Sequence, residues 1–187
     1  MDAITLLKQD HKTVKRLFAE FDKTADGANK ERRAIVDKII EEISVHAAIE
    51  EQVFYPAARG AVEDAHDEVL ESLEEHHVMK WLLSELEDLD PKAERFKAKV
   101  TVLKENTLHH AEEEEAELFP KVRAAMGRKA LQELGERLEA AKKGAPRRPH
   151  PKAPDSPPAN LVIGPAAGVA DRARSRFRGR NKERKAS

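Results

Sequence analysis

The sequence predicts an all-α protein: four antiparallel helices in an up-down-up-down bundle, an extra C-terminal helix and a disordered basic tail. Two observations support this prediction. Charged residues make up 37% of the 187 residues and aromatic residues only 4%, a balance typical of helices, in which straight-chain side chains lose little rotamer freedom. Four segments also repeat apolar residues at intervals of three and four, which keeps one face of a helix turned inward.

The four bundle helices are predicted at roughly residues 2–24, 29–58, 62–89 and 92–125. Helices of this length joined by short connections pack as antiparallel neighbours. Turn and stop signals separate them, at Asp26–Gly27, Arg59–Gly60 and Asp90–Pro91. Their apolar seams contain Ile4, Leu7, Val14, Phe18 and Phe21 in the first helix, Ile35, Ile39, Ile43 and Val53 in the second, Val69, Leu73, Leu83 and Leu86 in the third, and Phe96, Val100, Leu103 and Leu118 in the fourth.

Composition divides the chain into three predicted parts. The bundle occupies residues 1–125, and an accessory amphipathic helix with Leu131, Leu134 and Leu138 occupies residues 126–143. Residues 144–187 form a tail rich in proline and arginine, with 11 Lys+Arg against 3 Asp+Glu, whereas residues 1–143 hold 23 against 32. Such a tail cannot bury a core, so we expect it to be disordered.

Each bundle helix interrupts its apolar seam with polar residues. The interruptions are His11 in the first helix, His46 and Glu50 in the second, His76 in the third, and His110 and Glu114 in the fourth. Burying an unpaired polar group costs about 1–3 kcal/mol, so these six must satisfy one another or a shared partner. Imidazoles and carboxylates that converge from four helices are typical of a site for two metal ions.

An internal repeat strengthens this interpretation. HAAIEEQVFYP at residues 46–56 matches HAEEEEAELFP at residues 110–120, and DHKTVKRLFAEF at residues 10–21 matches EHHVMKWLLSEL at residues 75–86. Residues at i and i+4 share a helix face, so each repeated glutamate points where its histidine points. Each half therefore supplies two imidazoles and one carboxylate, which is the set that one of two metal ions needs.

These motifs resemble the bacterial hemerythrin family, specifically its HHE cation-binding domain, over about residues 1–125. The resemblance implies a hemerythrin-like four-helix bundle around a non-haem di-iron centre. The ligands that it implies are His11 and His46 for one iron, His76 and His110 for the other, and Glu50 and Glu114 as bridges between them.

One ligand of the family's oxygen carriers is missing from this sequence. Those members use a fifth histidine on the third helix, one turn from its partner, and the positions one turn either side of His76 are Ser72 and Lys80. The departure predicts a more open centre and puts simple reversible oxygen carriage in doubt.

The donor set limits the metal and the chemistry. The chain has no cysteine, so nitrogen and oxygen must hold the metal, and these donors suit iron, manganese or zinc. The resemblance implies two non-haem iron ions per chain, with manganese and zinc less favoured. The predicted function is to bind or react with dioxygen, peroxide or nitric oxide; the alternative is a catalase-like enzyme that disproportionates peroxide in oxidative-stress defence. Whether the protein is an enzyme stays open. Iron storage and a metal-free helical adaptor with coincidental core histidines are the remaining alternatives.

Other polar residues are assigned structural roles. His77 and His109 adjoin the proposed ligands but lie about 100° around the helix, so we interpret them as surface or supporting residues. His66 continues the third seam near the end of the bundle. Tyr55 lies five residues after Glu50, a poor angle for reaching the site, which favours core packing.

Localisation and partners are predicted only broadly. The N-terminus lacks the apolar run of a signal peptide, and no segment approaches the roughly 18 apolar residues of a membrane span, so we expect a cytoplasmic protein. We expect a small-molecule ligand and a monomer or weak dimer. The basic tail could contact nucleic acid, an acidic protein or a membrane, or fold back on the acidic bundle.

Overall fold

The computed structural model describes residues 1–155, 160 and 164–173, and the regular structure within these residues is helical. The helices are α1 (Ala3–Asp22), α2 (Asn29–Ile49), α3 (Tyr55–Ala61), α4 (His66–Asp88), α5 (Phe96–Glu113), α6 (Phe119–Ala125) and α7 (Arg128–Gly144). Two π-helical segments join them, Glu50–Phe54 between α2 and α3 and Glu114–Leu118 between α5 and α6. Residues 164–173 are also helical.

The helices form the predicted bundle. Helix α1 packs against α2 and α5, and α4 packs against α5 and α2, which closes a ring of four. Each of the second and fourth bundle helices is one path made of two α-helices and the π-helical segment between them. At the start of α1, Asp2 accepts a hydrogen bond from the backbone N–H of Thr5 at 3.0 Å, which satisfies one of the free donors of the first turn.

The two π-helical segments lie directly before the repeated prolines. Pro56 is the second residue of α3 and Pro120 the second residue of α6. A proline inside a helix has no N–H and its ring clashes with the carbonyl four residues earlier. A π turn hydrogen-bonds over five residues and is wider, so it carries the helix past each proline. The N–H of Tyr55 accordingly reaches the carbonyl of Glu50.

Two apolar clusters fill the bundle, and the polar seam residues belong to neither. One cluster lies between α1, α2, α4 and α5 and includes Phe18, Ile39, Leu83 and Leu103. The other includes Leu7, Phe54 and Phe119 and also takes in α7. Each fully buried side chain of this size contributes about 1.5–3 kcal/mol relative to exposure. The polar seam residues are therefore held in place by close-packed apolar clusters.

The extra C-terminal helix α7 packs on α1, α2 and the first π-helical segment. Leu131, Leu134 and Leu138 are its buried residues together with Gly135. A Cβ at Gly135 would lie 2.2 Å from the carbonyl oxygen of Met1, so the start of the chain crosses α7 at a distance that only glycine permits. The predicted accessory helix thus covers one side of the bundle.

The described part of the tail differs from the disordered tail expected from residue 144. Arg147 pairs with Glu41 at 2.9 Å and Arg148 with Glu87 at 2.6 Å. Asp171, 5% exposed, accepts the backbone N–H of Arg147 at 3.0 Å. Opposite charges on the bundle therefore hold residues that a composition argument places in solvent. The basic stretch at residues 174–187 lies outside the described residues.

Within the described residues, no helix combines the length and the apolar character that crossing a membrane requires.

Candidate metal centre

All six polar seam residues meet in one buried layer. Their exposed fractions lie between 0 and 8%. Their ligand atoms form two overlapping groups, each within 4.8 Å: His11, His46, Glu50 and Glu114 in the first, and Glu50, His76 and His110 in the second. The structure therefore brings together all six residues that the sequence predicts as metal ligands. Each of the four bundle helices supplies one or two of them.

The histidines face one another in two pairs through the same ring nitrogen. Nε2 of His11 lies 3.0 Å from Nε2 of His46, and Nε2 of His76 lies 3.1 Å from Nε2 of His110. Nδ1 of His11, His76 and His110 hydrogen-bonds a carboxylate, and Nδ1 of His46 lies 3.5 Å from one. These carboxylates favour the proton on Nδ1 and leave the lone pair on Nε2. Two lone pairs at this distance repel each other unless a cation lies against both. The donor set therefore fits a metal ion at each pair.

The carboxylates behind the histidines were not found from the sequence. They are Glu115 for His11 at 3.0 Å, Asp10 for His46 at 3.5 Å, Glu51 for His76 at 2.9 Å, and Glu75 for His110 at 2.7 Å. The repeat contained a signal for them, because an acidic residue precedes His11 and His76 and another follows Glu50 and Glu114. Each acidic residue supports a histidine on a neighbouring helix, which linear spacing does not disclose.

Three of these carboxylates also contact a lysine. Lys80 contacts Glu51 at 2.6 Å, Lys142 of α7 contacts Asp10 at 2.6 Å, and Lys8 contacts Glu115 at 3.3 Å. Burial raises the pKa of Glu51 to about 7, against the opposing charge of Lys80. Lys80 occupies a position where a fifth histidine would have been expected, and its ammonium turns to Glu51 instead of the centre.

Glu50 and Glu114 lie between the histidine pairs. Oε2 of Glu50 is 3.1 Å from Nε2 of His46 and 3.4 Å from Nε2 of His76, and Oε2 of Glu114 is 3.3 Å from His11 and 3.7 Å from His110. Each carboxylate thus reaches both halves. No hydrogen bond is made by either oxygen of Glu50 or by Oε2 of Glu114. Buried carboxylate oxygens without a hydrogen-bond partner suit a cation as their partner.

The buried surroundings shift the pKa values of Glu50 and of two imidazoles of this layer in opposite directions. Burial, reinforced by the negative charge of Glu114, raises the pKa of Glu50 well above its usual range. Burial lowers the pKa of His46, and burial together with the neighbouring His110 lowers the pKa of His76 further. Neutral imidazole is the form that binds metal, so burial prepares these two rings as ligands.

Tyr55 belongs to the centre, contrary to the core-packing role expected from the sequence. Its hydroxyl donates to Oε1 of Glu114 at 3.1 Å and lies 3.2 Å from Nε2 of His76. The π-helical segment after Glu50 adds one residue to the turn, which rotates position 55 onto the face of the ligands. The matching residue of the second repeat, Phe119, stacks on His11 with ring centroids 5.7 Å apart. At this position, therefore, the two halves of the repeat differ by one hydroxyl.

A small apolar cavity opens on the histidine side of the layer. All four histidines line it, and the rest of its wall is mainly apolar, formed by Val14, Ile43, Ala47, Met79, Leu108 and Ala111 together with Thr107. Its volume is about 20 Å³, enough for one molecule the size of water. Glu50, Glu114 and Tyr55 do not line it, so the cavity meets the centre at its nitrogen donors.

The remaining candidate histidines lie outside the layer and are exposed. His66 begins α4 and faces Arg59 at 2.7 Å, and His77 accepts from the indole N–H of Trp81 at 3.1 Å. His109 contacts Glu113 at 3.3 Å. Ser72, the other position considered for a fifth histidine, donates to the carbonyl of Glu68 at 2.9 Å.

The fold and the buried histidine and glutamate cluster define a metal-binding helical-bundle protein. The chain belongs to the hemerythrin family: the hemerythrin HHE cation binding domain matches residues 2–122. The bundle also resembles the crystal structure of a hemerythrin HHE cation binding domain-containing protein from Mycobacterium kansasii, with a TM-score of 0.66 and 25% sequence identity, over 76% of this chain and 86% of that one.

Two curated relatives extend the comparison. One is an uncharacterized hemerythrin-like protein from Schizosaccharomyces pombe, 26% identical over 139 residues, which are 74% of this chain and 68% of the relative. The other is named a DNA nickase, from Nostoc sp. (strain PCC 7120), and is 27% identical over 142 residues. That alignment covers 76% of this chain but only 39% of the relative's length.

Proposed function

We propose that this chain is a non-haem di-iron protein that binds dioxygen or nitric oxide. His11 and His46 would hold one iron and His76 and His110 the other, with Glu50 and Glu114 shared between them. The observation that carries the proposal is the convergence of these donors beside an apolar cavity that admits one small molecule. Two ferrous ions would supply the electrons and the open coordination positions for such a ligand.

The phenol of Tyr55 gives a reason to propose iron among the metals that this donor set suits. Imidazole with carboxylate suits iron, manganese or zinc, whereas soft thiolate ligands are absent from the sequence. Tyr55 adds a phenol oxygen beside His76, a hard donor of the kind that ferric iron prefers. We propose that Tyr55 takes the place of the missing fifth histidine, with oxygen substituted for nitrogen on the His76 side.

The cavity supports a neutral ligand over a charged or strongly polar one. Its lining away from the histidines is mainly apolar, including Ile43 and Met79. Peroxide would give up hydrogen bonds to water there and regain few, whereas dioxygen and nitric oxide lose little on leaving water. This lining supports a ligand such as dioxygen or nitric oxide over peroxide.

Peroxide disproportionation remains the second candidate because of Tyr55. Its hydroxyl is a proton donor within 3.2 Å of the proposed ligand His76 and hydrogen-bonds Glu114, and a positioned donor is what cleavage of a peroxide requires. Sustained release of oxygen from added hydrogen peroxide, dependent on iron, would establish this reaction in place of ligand binding.

The relative named a DNA nickase does not lead us to propose a nucleic-acid function for the described residues. Arg147 and Arg148, which begin the basic tail, pair with Glu41 and Glu87 of the bundle. Their positive charge is already compensated within the chain, so it gives little attraction to phosphates.

The test is anaerobic loading with Fe²⁺, measurement of iron per chain by elemental analysis, and spectroscopy after addition of nitric oxide or dioxygen. The variant Glu114→Ala should lose iron and the spectral change together. Its matched control is Glu112→Ala, an exposed member of the same run of four glutamates, which should keep both. Two irons and a full response in Glu114→Ala would refute the ligand assignment.

Tyr55→Phe separates the proposed role of the phenol from packing. It should keep two irons and the helical content, because phenylalanine fills the same apolar space. If the phenol contacts ferric iron, the variant should lose a visible tyrosinate-to-iron charge-transfer band that the parent protein shows. The absence of such a band in the ferric parent protein would contradict this role.

A further inference from the structure

A groove lined by glutamates lies between α4 and α5 and continues along the second π-helical segment. We call it the acidic groove; Glu68, Glu71, Glu75, Glu113 and Glu117 line it, with Glu114 at its inner end. It measures about 50 Å³. Lys121 pairs with Glu68 at one edge. Glu113 and Glu117, and likewise Glu71 and Glu75, are like charges one helical turn apart, an arrangement that destabilises a helix. The helices themselves therefore gain no stability from these two pairs of glutamates.

The first half of the internal repeat has apolar residues at the positions where the second half has these glutamates. In the first half, the residues that correspond to four of these glutamates are Ala3, Leu6, Ile49 and Val53. All four are buried, and they share an apolar cluster with the leucines of α7. The groove of the first half is thus apolar and covered by a helix. The groove of the second half is acidic and has no such cover among the described residues.

The acidic groove leads to a buried carboxylate, Glu114, with one oxygen that makes no hydrogen bond. Glu114 is 2% exposed and its Oε2 makes no hydrogen bond. The groove therefore meets the centre from the carboxylate side, whereas the apolar cavity meets it from the histidine side. The acidic groove is polar and suits a metal cation, whereas the cavity is mainly apolar and suits an uncharged small molecule.

The outer end of the groove offers a second set of ligand atoms. Glu75, His109 and Glu113 each place one within 4.8 Å of the others. Glu75 also contacts Nδ1 of His110 at 2.7 Å, so this outer set adjoins the centre directly. Carboxylates and an imidazole that are partly exposed can replace some of the waters of a divalent cation while it is still in contact with solvent.

We propose that the acidic groove is the route by which the divalent metal ion reaches the centre, with Glu75, His109 and Glu113 making the first contact. This inference rests on the proposed function, because it takes Glu114 to be a ligand. A cleft lined by one sign of charge concentrates counter-ions and raises their association rate by about 10–10³-fold, an effect that salt suppresses. The apolar cavity gives a hydrated dication no comparable attraction.

The test is the rate of uptake of Co²⁺ by the metal-free full-length chain, followed by stopped-flow absorbance at low and high ionic strength. The groove variant combines Glu71→Gln, Glu113→Gln and Glu117→Gln, which leaves out Glu75 because that residue supports His110. The control combines Glu133→Gln, Glu136→Gln and Glu139→Gln on α7, which removes the same charge from exposed positions above the covered groove.

The groove variant should load about tenfold more slowly at low ionic strength, with a weaker dependence on salt and the same final metal content. The control should load like the parent protein. His109→Ala, which leaves the groove charge intact, should slow uptake by a smaller factor. If the triple variant folds poorly by circular dichroism, Glu117→Gln alone, at an exposed position, gives the same comparison with Glu136→Gln.

Three results would overturn the inference. The first is uptake of Co²⁺ by the groove variant at the same rate as the parent protein. The second is equal slowing of uptake in the groove and control variants, which would mean that only the net charge of the protein matters. The third is a lower final metal content at equilibrium, which would make these glutamates ligands and not a route. Failure of the proposed function looks different, because the parent protein itself would then take up no metal.

Discussion

Replacing Glu50 by methionine should make the metal-free protein more stable while it removes metal binding. Glu50 is fully buried, and neither of its oxygens accepts a hydrogen bond. Its nearest neighbours are His46 and His76, whose pKa values are lowered by burial, so they offer little positive charge in return. Methionine has a similar length, no charge and enough flexibility to fill the space.

The size of the effect follows from the unsatisfied group. A buried polar group without a partner costs about 1–3 kcal/mol, and more if it is charged. We therefore expect about 2 kcal/mol in favour of metal-free Glu50→Met, which corresponds to a rise in Tm of about 4–8 °C for a chain of this size.

When metal is added, the parent protein should become more stable than Glu50→Met. A ligand that binds only the folded state at 1,000 times its Kd adds about 4 kcal/mol, which the parent protein gains and Glu50→Met does not. The assay is urea denaturation followed by circular dichroism, with chelator and with Fe²⁺ under anaerobic conditions. The control, Glu105→Met at an exposed position of α5, should stay within about 0.5 kcal/mol of the parent in both. A metal-free Glu50→Met less stable than the metal-free parent would refute the reasoning.

Three further predictions concern the surroundings of the centre. Glu51→Gln should weaken metal binding by about 10–100-fold in chelator competition, because the carboxylate that orients His76 is lost; unchanged affinity would contradict that role. Ala47→Leu should fill the apolar cavity and slow nitric oxide binding in stopped-flow measurements with iron content unchanged, whereas exposed Ala140→Leu should not. Leu138→Ala should cost about 2–5 kcal/mol of unfolding free energy, because the side chain is fully buried between α7 and the bundle; a cost below 1 kcal/mol would mean that α7 packs loosely.

The helices and the convergence of the six polar residues could be predicted from the sequence, because both follow from the spacing of residues along a helix. Helical spacing sets which residues share a face, and His46 with Glu50, or His110 with Glu114, share one because they are four residues apart. The repeat then implied that both halves turn their polar residues inward. The structure confirms the bundle and brings the six together; their role as metal ligands stays a prediction.

Tyr55 shows where that local argument stops. An ideal α-helix places a residue five positions after Glu50 away from the face of the ligands, and the sequence interpretation followed that geometry. The π-helical segment Glu50–Phe54 changes the angle and brings the hydroxyl to Glu114. The signal was present in Pro56, since a proline in this position needs a wider turn before it.

By itself, the sequence determined the all-helical bundle, its repeat and the residues that fill the buried polar layer, because periodicity and burial are local properties of a helix. Only the tertiary structure decided which carboxylate supports which histidine, since Asp10, Glu51, Glu75 and Glu115 each act across to a neighbouring helix. It also decided that α7 covers the apolar groove of the first half and leaves the acidic groove of the second half open. Contacts between helices depend on how the helices pack, and no spacing along one chain segment specifies that.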